Sequence, residues 1–175
     1  EPTDEQKDRF TRVLKGHIAI ATAKFKDNTK GSKIDPLARK SLQEIELDYD
    51  HGTGHGIGSF LSVHEGPQRI SKLASTNEGK ISEGMILSNE PGFYKKGEYG
   101  IRTENLLLVV KSSKYYLSFE TISFAPIDLD LIDQSLLNKK EINWLNNYHK
   151  KVYKNYGSRL NKDERKWLLQ ATKSL

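Results

Sequence analysis

Three of the chain's five histidines, His51, His55 and His64, fall within fourteen residues. The first two lie in His51-Gly52-Thr53-Gly54-His55-Gly56-Ile57-Gly58, which has four glycines in eight residues. Two histidines four apart share a helix face and there can bind zinc. Glycine at this density opposes a helix. No glutamate follows His51, so the metalloprotease helix is excluded. The run has neither a Gly-Lys-Ser/Thr ending nor a GxGxxG pattern, so it is not a phosphate-binding loop. It reads as an open backbone that holds imidazoles where a ligand can approach closely. A lone histidine is most often structural, but three so close together point to a site.

Two carboxylates extend the site. Glu90 ends an apolar run in Ser88-Asn89-Glu90-Pro91-Gly92, and Glu104 precedes five apolar residues, Leu106–Val110. Each could be a surface charge at a strand edge. That reading is weaker for Glu104, because the strand around it looks buried. A buried carboxylate must be paired or bound to metal, since desolvating it alone costs several kcal/mol. Arg102, two residues before Glu104 and on the same strand face, is a candidate partner or a support for such a site. An imidazole with two carboxylates makes a hard, oxygen-rich site suited to manganese, cobalt or zinc. Three side chains leave a divalent ion short of ligands.

The elements that must position these residues are legible locally. Thr3 and Gln6 form a capping box that starts a helix, continued by Phe10, Val13, Leu14, Ala21 and Phe25 near helical spacing. Asp35-Pro36 starts a second helix, with the carboxylate as cap and proline in the first turn; Leu37, Leu42 and Ile45 form its apolar stripe. Met85–Ser88 is a short apolar run broken by Pro91-Gly92. Gly100–Val110 reads as one strand, buried on both faces where it turns wholly apolar. Tyr115–Ile122 alternates as another strand. Boxes at Asn138/Glu141 and Asn161/Glu164 start two closing helices, with Gly157 between. Trp144, Tyr148, Val152 and Tyr156 form an aromatic stripe that either packs internally or meets a second copy.

Composition sets the outer bounds. At 175 residues one domain is expected, able to bury roughly 70% of its unfolded surface. With no cysteine there are no disulfides, thiolate metal sites or cysteine nucleophiles, which fits a reducing compartment. No apolar run reaches the length of a membrane span, and the polar start is not that of a signal peptide. The net charge is +5, but the basic residues are scattered, which suits a solvated lysine-rich surface rather than nucleic acid.

The three motifs HGTGHGIGSFLSVHEGP (His51–Pro67), SNEPGFY (Ser88–Tyr94) and GIRTEN (Gly100–Asn105) together resemble the Xaa-Pro aminopeptidases (aminopeptidase P). These belong to the creatinase, prolidase and methionine aminopeptidase superfamily. Leu14–Ala19 resembles the family's helix after its metal-binding strands, and Asn143–His149 resembles the C-terminal extension of its long members. The resemblance implies an α+β fold, the second half of a pita-bread fold, with a curved, mainly antiparallel sheet and helices packed on one face. Residues 1–136 are then the C-terminal half of the catalytic domain and 137–175 a helical extension.

The resemblance further implies two metal ions held by Asp, Asp, His, Glu and Glu, usually manganese, with zinc or cobalt possible. The motifs make His55, Glu90 and Glu104 metal ligands and Glu90 also the proton acceptor. His51 and His64 line the substrate pocket, and Arg102 stands beside the bridging carboxylate. The family's two aspartates and a further histidine come earlier, so this chain is expected to be a C-terminal part, inactive alone. The implied activity is removal of the residue before proline from peptides with an Xaa-Pro start. The intact enzyme is expected to be a cytoplasmic homodimer with no nucleic-acid or membrane partner. Alternatives are a prolidase-like dipeptidase and a non-catalytic pita-bread binding protein; the latter typically loses the histidine and glutamate positions that stand here.

Overall fold

Helix α1 (Asp4–Ala21) opens with the expected box: the Thr3 amide donates to Gln6 Oε1 at 2.8 Å and the Gln6 amide to Thr3 Oγ1 at 3.3 Å. It ends earlier than the apolar spacing suggested, because Phe25 belongs to strand β1 (Lys24–Lys26). The computed structural model describes residues 1–60, 62–73 and 78–175. Leu61 of the histidine-rich motif therefore lies outside the described residues.

Helix α2 (Pro36–Gln43) departs from expectation in two ways. Asp35 stands at its N-cap, but the carboxylate makes no capping bond and turns inward to Arg39. The buried face is Ala38, Arg39, Ser41 and Leu42, while Leu37 is exposed and Ile45 lies beyond the helix. The helix thus buries a charge where an apolar stripe was expected.

Seven further strands follow: β2 (Gly54–His55), β3 (Arg69–Ile70), β4 (Ile86–Asn89), β5 (Gly92–Lys95), β6 (Tyr99–Arg102), β7 (Asn105–Ser113) and β8 (Tyr116–Thr121). The main antiparallel sheet has the order β1-β8-β7-β4, and β2–β3 and β5–β6 are separate two-stranded ladders. The long strand expected over Gly100–Val110 is split at Thr103-Glu104: β6 pairs with β5, and β7 pairs with β4 and β8. Hydropathy could not show this change of partner. Nor is β7 buried on both faces: Leu107 and Val109 are buried, whereas Leu106, Leu108 and Val110 are only partly so.

Register is unchanged across the split. Asn89 lies opposite Asn105 before it, and Gly92 opposite Arg102 after it. By that register Glu90 and Glu104 occupy opposed positions in the gap between the two ladders.

Contacts divide the chain into two units, Arg12–Ser123 and Glu1–Thr11 with Phe124–Leu175. In the first, Ile20, Phe25, Ile34, Ile70, Leu87 and Leu107 are among the residues of one core, with Phe25 and Phe119 rings 5.0 Å apart. In the second, α3 (Lys139–Tyr156) and α4 (Lys162–Ala171) start at complete capping boxes, as read from sequence. Tyr148 of the aromatic stripe stacks on Trp144, accepts from the Ala125 amide and donates to the Ala125 carbonyl. Tyr148 and Val152 are buried inside this unit, and Tyr156 is exposed. Among the described residues, no helix is long and apolar enough to cross a membrane.

Two buried histidines make stability depend on pH. Burial, partly opposed by the hydrogen bond to Asn105, lowers His17 from its ordinary 6.5 to about 4, and burial also lowers His149. An unfolded chain takes up these protons first. The stabilisation is full above pH 6.5 and is lost as pH falls toward 4. For His17 this is about 3 kcal/mol, at about 1.4 kcal/mol per pH unit. Denaturant unfolding from pH 7 to pH 4 is expected to show the decline, and His17→Gln to flatten much of it.

Candidate metal and peptide site

The site is assembled on β4 and the loop before β2. Gly54 is needed there because a Cβ would sit 2.0 Å from the Ser88 carbonyl oxygen. That close approach lets the His55 amide donate to Ser88 Oγ at 2.9 Å, while Ser88 Oγ donates to Glu90 Oε1 at 3.1 Å. The Glu90 amide donates to the Thr53 carbonyl at 2.8 Å. Histidine and glutamate are therefore fixed to each other through both backbone and side chain.

His55 and Glu90 come together as the motif reading expected. His55 Nδ1 lies 3.1 Å from the Gly56 carbonyl, which can only accept, so Nδ1 carries the hydrogen. A neutral His55 then turns the lone pair of Nε2 toward Glu90 Oε1, 3.1 Å away. In that form two acceptors face each other, an arrangement that a metal ion or a proton between them makes favourable. Two ligand atoms about 2.0–2.2 Å from one divalent ion lie roughly 3 Å apart at a right-angled bite, so the pair fits a shared metal.

Glu104 is exposed, contrary to the buried environment expected for it. Among the described residues no three His, Asp or Glu side chains gather closely enough to hold an ion. Glu104 does not join His55 and Glu90 as a third member. Arg102 links the two carboxylates instead: its Nη1 is 3.1 Å from Glu90 Oε2, and it feels the charges of both Glu90 and Glu104.

His51 is oriented through a chain of donors. Its Nδ1 donates to the Gly52 carbonyl at 2.8 Å, leaving Nε2 to accept from the Tyr94 hydroxyl at 2.8 Å. Tyr94 in turn accepts from Arg102 Nε at 2.9 Å. Arg102 is held above its ordinary pKa first by this bond. His64 is exposed, and its ring lies 4.0 Å from the His55 ring, centre to centre. Tyr94 had no role in the sequence reading. Glycine at 92 and 100 was a signal for it, since a Cβ at either would meet the Tyr94 ring or hydroxyl within about 3 Å.

The loop that carries His51 is held by Arg39, which is 1% exposed. Its Nε and Nη2 bind the Asp35 carboxylate at 2.6 and 3.1 Å. Nη1 reaches Asp48 Oδ1 at 2.7 Å and the Tyr49 carbonyl at 2.6 Å, and Nη2 reaches the His51 carbonyl at 2.9 Å. Thr53 donates to Asp35 and accepts from the Tyr49 hydroxyl. Burial works against the Arg39 charge, but the bonds to Asp35 and Asp48 outweigh it and hold the guanidinium protonated. The same contact keeps Asp48 below the usual carboxylate range despite its partial burial.

With this geometry in place, the relatives fall into one class. The chain belongs to metallopeptidase family M24, whose pattern matches residues 1–111, and residues 115–175 match the C-terminal region of that peptidase family. The α+β architecture with antiparallel sheets is that of pita-bread M24 enzymes. The chain is similar to a probable Xaa-Pro aminopeptidase P of Coprinopsis cinerea, 47% identical over 98% of this chain and 29% of that protein. It is similar in structure to the X-prolyl aminopeptidase of Caenorhabditis elegans, a cytosolic enzyme with a di-nuclear active site. The TM-score is 0.94 at 42% identity, over 100% of this chain and 30% of that one. An Xaa-Pro dipeptidase from Bacillus anthracis matches with a TM-score of 0.61 at 30% identity, over 74% of this chain and 34% of that one. The chain thus spans about a third or less of the length of these relatives.

Arg39→Ala should test the loop anchor. It leaves Asp35 buried without its partner, and breaking a buried pair in this way costs about 3–5 kcal/mol. Denaturant unfolding should show a loss of that size, while an exposed-lysine control such as Lys40→Ala should stay within about 0.5 kcal/mol of wild type.

Proposed function

We propose that this chain is the metal- and peptide-binding part of an Xaa-Pro aminopeptidase that removes the residue preceding proline. The observation that carries the reading is the His55–Glu90 pair, an imidazole nitrogen and a carboxylate oxygen 3.1 Å apart on a built support. His55, Glu90 and Glu104 are the proposed metal ligands, with two manganese ions in the intact site. When bound, divalent ions lower the pKa of a water and polarise a substrate carbonyl.

The remaining chemistry falls to side chains. Glu90 accepts the water proton and returns it to the proline nitrogen as the peptide C–N bond breaks. His51 and His64 line the pocket and hold the peptide near that bond, where His64 can donate a hydrogen bond to the developing oxyanion. Arg102, through Tyr94, keeps His51 in one orientation. Proline offers no backbone N–H in a peptide, so the site recognises its ring by shape. A cytoplasmic homodimer is proposed for the intact enzyme. A prolidase-like dipeptidase is the second reading, supported by the likeness to the Bacillus anthracis Xaa-Pro dipeptidase.

The donor set here is too small for two ions, so the 175 residues alone should bind manganese weakly and turn over no peptide. The full-length protein, loaded with manganese, should cleave Xaa-Pro-Yaa tripeptides and leave Xaa-Pro dipeptides largely intact; the reverse preference identifies the dipeptidase. Glu90→Gln and His55→Ala should each lower kcat/KM by at least about 100-fold, a change of roughly 2.7 kcal/mol in barrier. Turnover by the isolated 175 residues within about tenfold of the full-length enzyme would show that the essential ligands have been misplaced. Light scattering of the full-length protein at micromolar concentration should give twice the monomer mass.

A further inference from the structure

His17 lies in the second half of α1 and is completely buried. Its surroundings fix its chemistry. Asn105 Nδ2 donates to the Ser123 carbonyl at 2.8 Å, so Asn105 Oδ1 is the atom that faces His17. An amide oxygen only accepts, so the 2.8 Å contact places the hydrogen on His17 Nε2. The backbone carbonyl of the same residue accepts from Asn89 Nδ2 at 3.0 Å. One helical residue therefore grips two asparagines, each 4% exposed or less.

These asparagines are not arbitrary neighbours. Asn89 and Asn105 face each other as the last rung of the β4–β7 ladder. Glu90 follows one along the chain and Glu104 precedes the other, at the opposed positions of the gap. Successive residues of a strand point to opposite faces. A rung held by the helix on one face therefore sets where the two carboxylates emerge on the other. Apolar side chains would join helix to sheet with no polar group to satisfy. A buried, directional trio instead fixes one rotation of the rung.

We propose that His17 is a positioning residue for the carboxylate pair: by clamping Asn89 and Asn105 it fixes the spacing of Glu90 and Glu104 for metal binding. The proposal rests on the reading of those glutamates as ligands. His17 itself touches neither metal nor substrate. It acts through the strand backbone, as supporting groups behind metal ligands do, whose loss typically lowers metal affinity or activity about 10–100-fold.

The test uses the full-length protein stripped of metal, with variants His17→Leu, His17→Gln and Asn89→Ala. Manganese affinity is read from the electron paramagnetic resonance of free Mn2+, and site geometry from the absorption of the cobalt-substituted protein. Circular dichroism establishes that each metal-free variant is folded under the titration conditions. His17→Leu should weaken manganese binding about 10–100-fold and alter the cobalt spectrum, and His17→Gln, which keeps an N–H donor for Asn105, should stay within about threefold of wild type. Asn89→Ala should weaken binding about tenfold, and it decides the matter if His17→Leu does not fold. Wild-type affinity and spectrum in folded His17→Leu, or in Asn89→Ala where the leucine variant is lost, overturn the proposal. So does a glutamine variant as weak as the leucine one. Glu90→Ala and Glu104→Ala run alongside. If they leave manganese binding unchanged, the ligand assignment itself fails. If they abolish it while the His17 variants bind normally, only the positioning role fails.

Discussion

The buried pair of Arg39 and Asp35 is the constraint on which the site depends. Taking two charges out of water costs several kcal/mol each, and attraction offsets this only when every donor is satisfied. Here the guanidinium makes five contacts, matching its five N–H groups: two to Asp35, one to Asp48, and one each to the carbonyls of Tyr49 and His51. Asp35 takes a further bond from Thr53. Glycine-rich backbone loses more entropy on ordering than any other, and residues 50–53 bury little apolar surface that could offset it. Directional bonds from a rigid helix therefore do what core packing does elsewhere. Because they end on backbone carbonyls, they fix the path of the loop independently of its side chains.

From that loop the constraint passes directly into His55 and Glu90. The Thr53 carbonyl receives the Glu90 amide, and Ser88 connects the His55 amide to the Glu90 carboxylate. Imidazole and carboxylate thus come from different segments, a two-residue strand and the residue after β4, yet share one set of supports. A pair held by its own side chains alone would be free to separate. This one stays together because the backbone of each is tied to the other, the preorganisation that the proposed metal site requires.

What the sequence revealed and what it hid follow from range. The three capping boxes join residues three apart, so their bonds form as soon as the helix does. The strands of the β7–β8 hairpin and the β4 run carry their own alternation or apolar character. His55, Glu90 and Glu104 stood out by residue type and motif. Hidden features needed a partner far along the chain. Arg39 reads as one more solvated base in a helix that also holds Lys40, and Asp35 as a cap. Only the fold shows that the two are buried together against residues 48–53. The split at Thr103-Glu104 was invisible because apolar residues flank it on one side and the change of ladder leaves no mark on hydropathy. His17 carries no signal in the sequence because its partner Asn105 lies 88 residues away.

Arg102 shows how the site can keep its shape while its charge changes. It is close enough to Glu90 to form an ion pair, but its side chain is 44% exposed, and such pairs contribute about 0–1 kcal/mol. The guanidinium also donates from Nε to the Tyr94 hydroxyl at 2.9 Å. Tyr94 in turn is seated over Gly92 and Gly100, where no larger residue fits without moving the ring. Neutralising Glu90, whether by a proton or by a cation, leaves this bond from Arg102 to Tyr94 in place. The chain from Arg102 through Tyr94 to His51 is anchored at the strand pair β5–β6 and not at the carboxylates. His51 can thus hold one orientation whatever the charge state of Glu90.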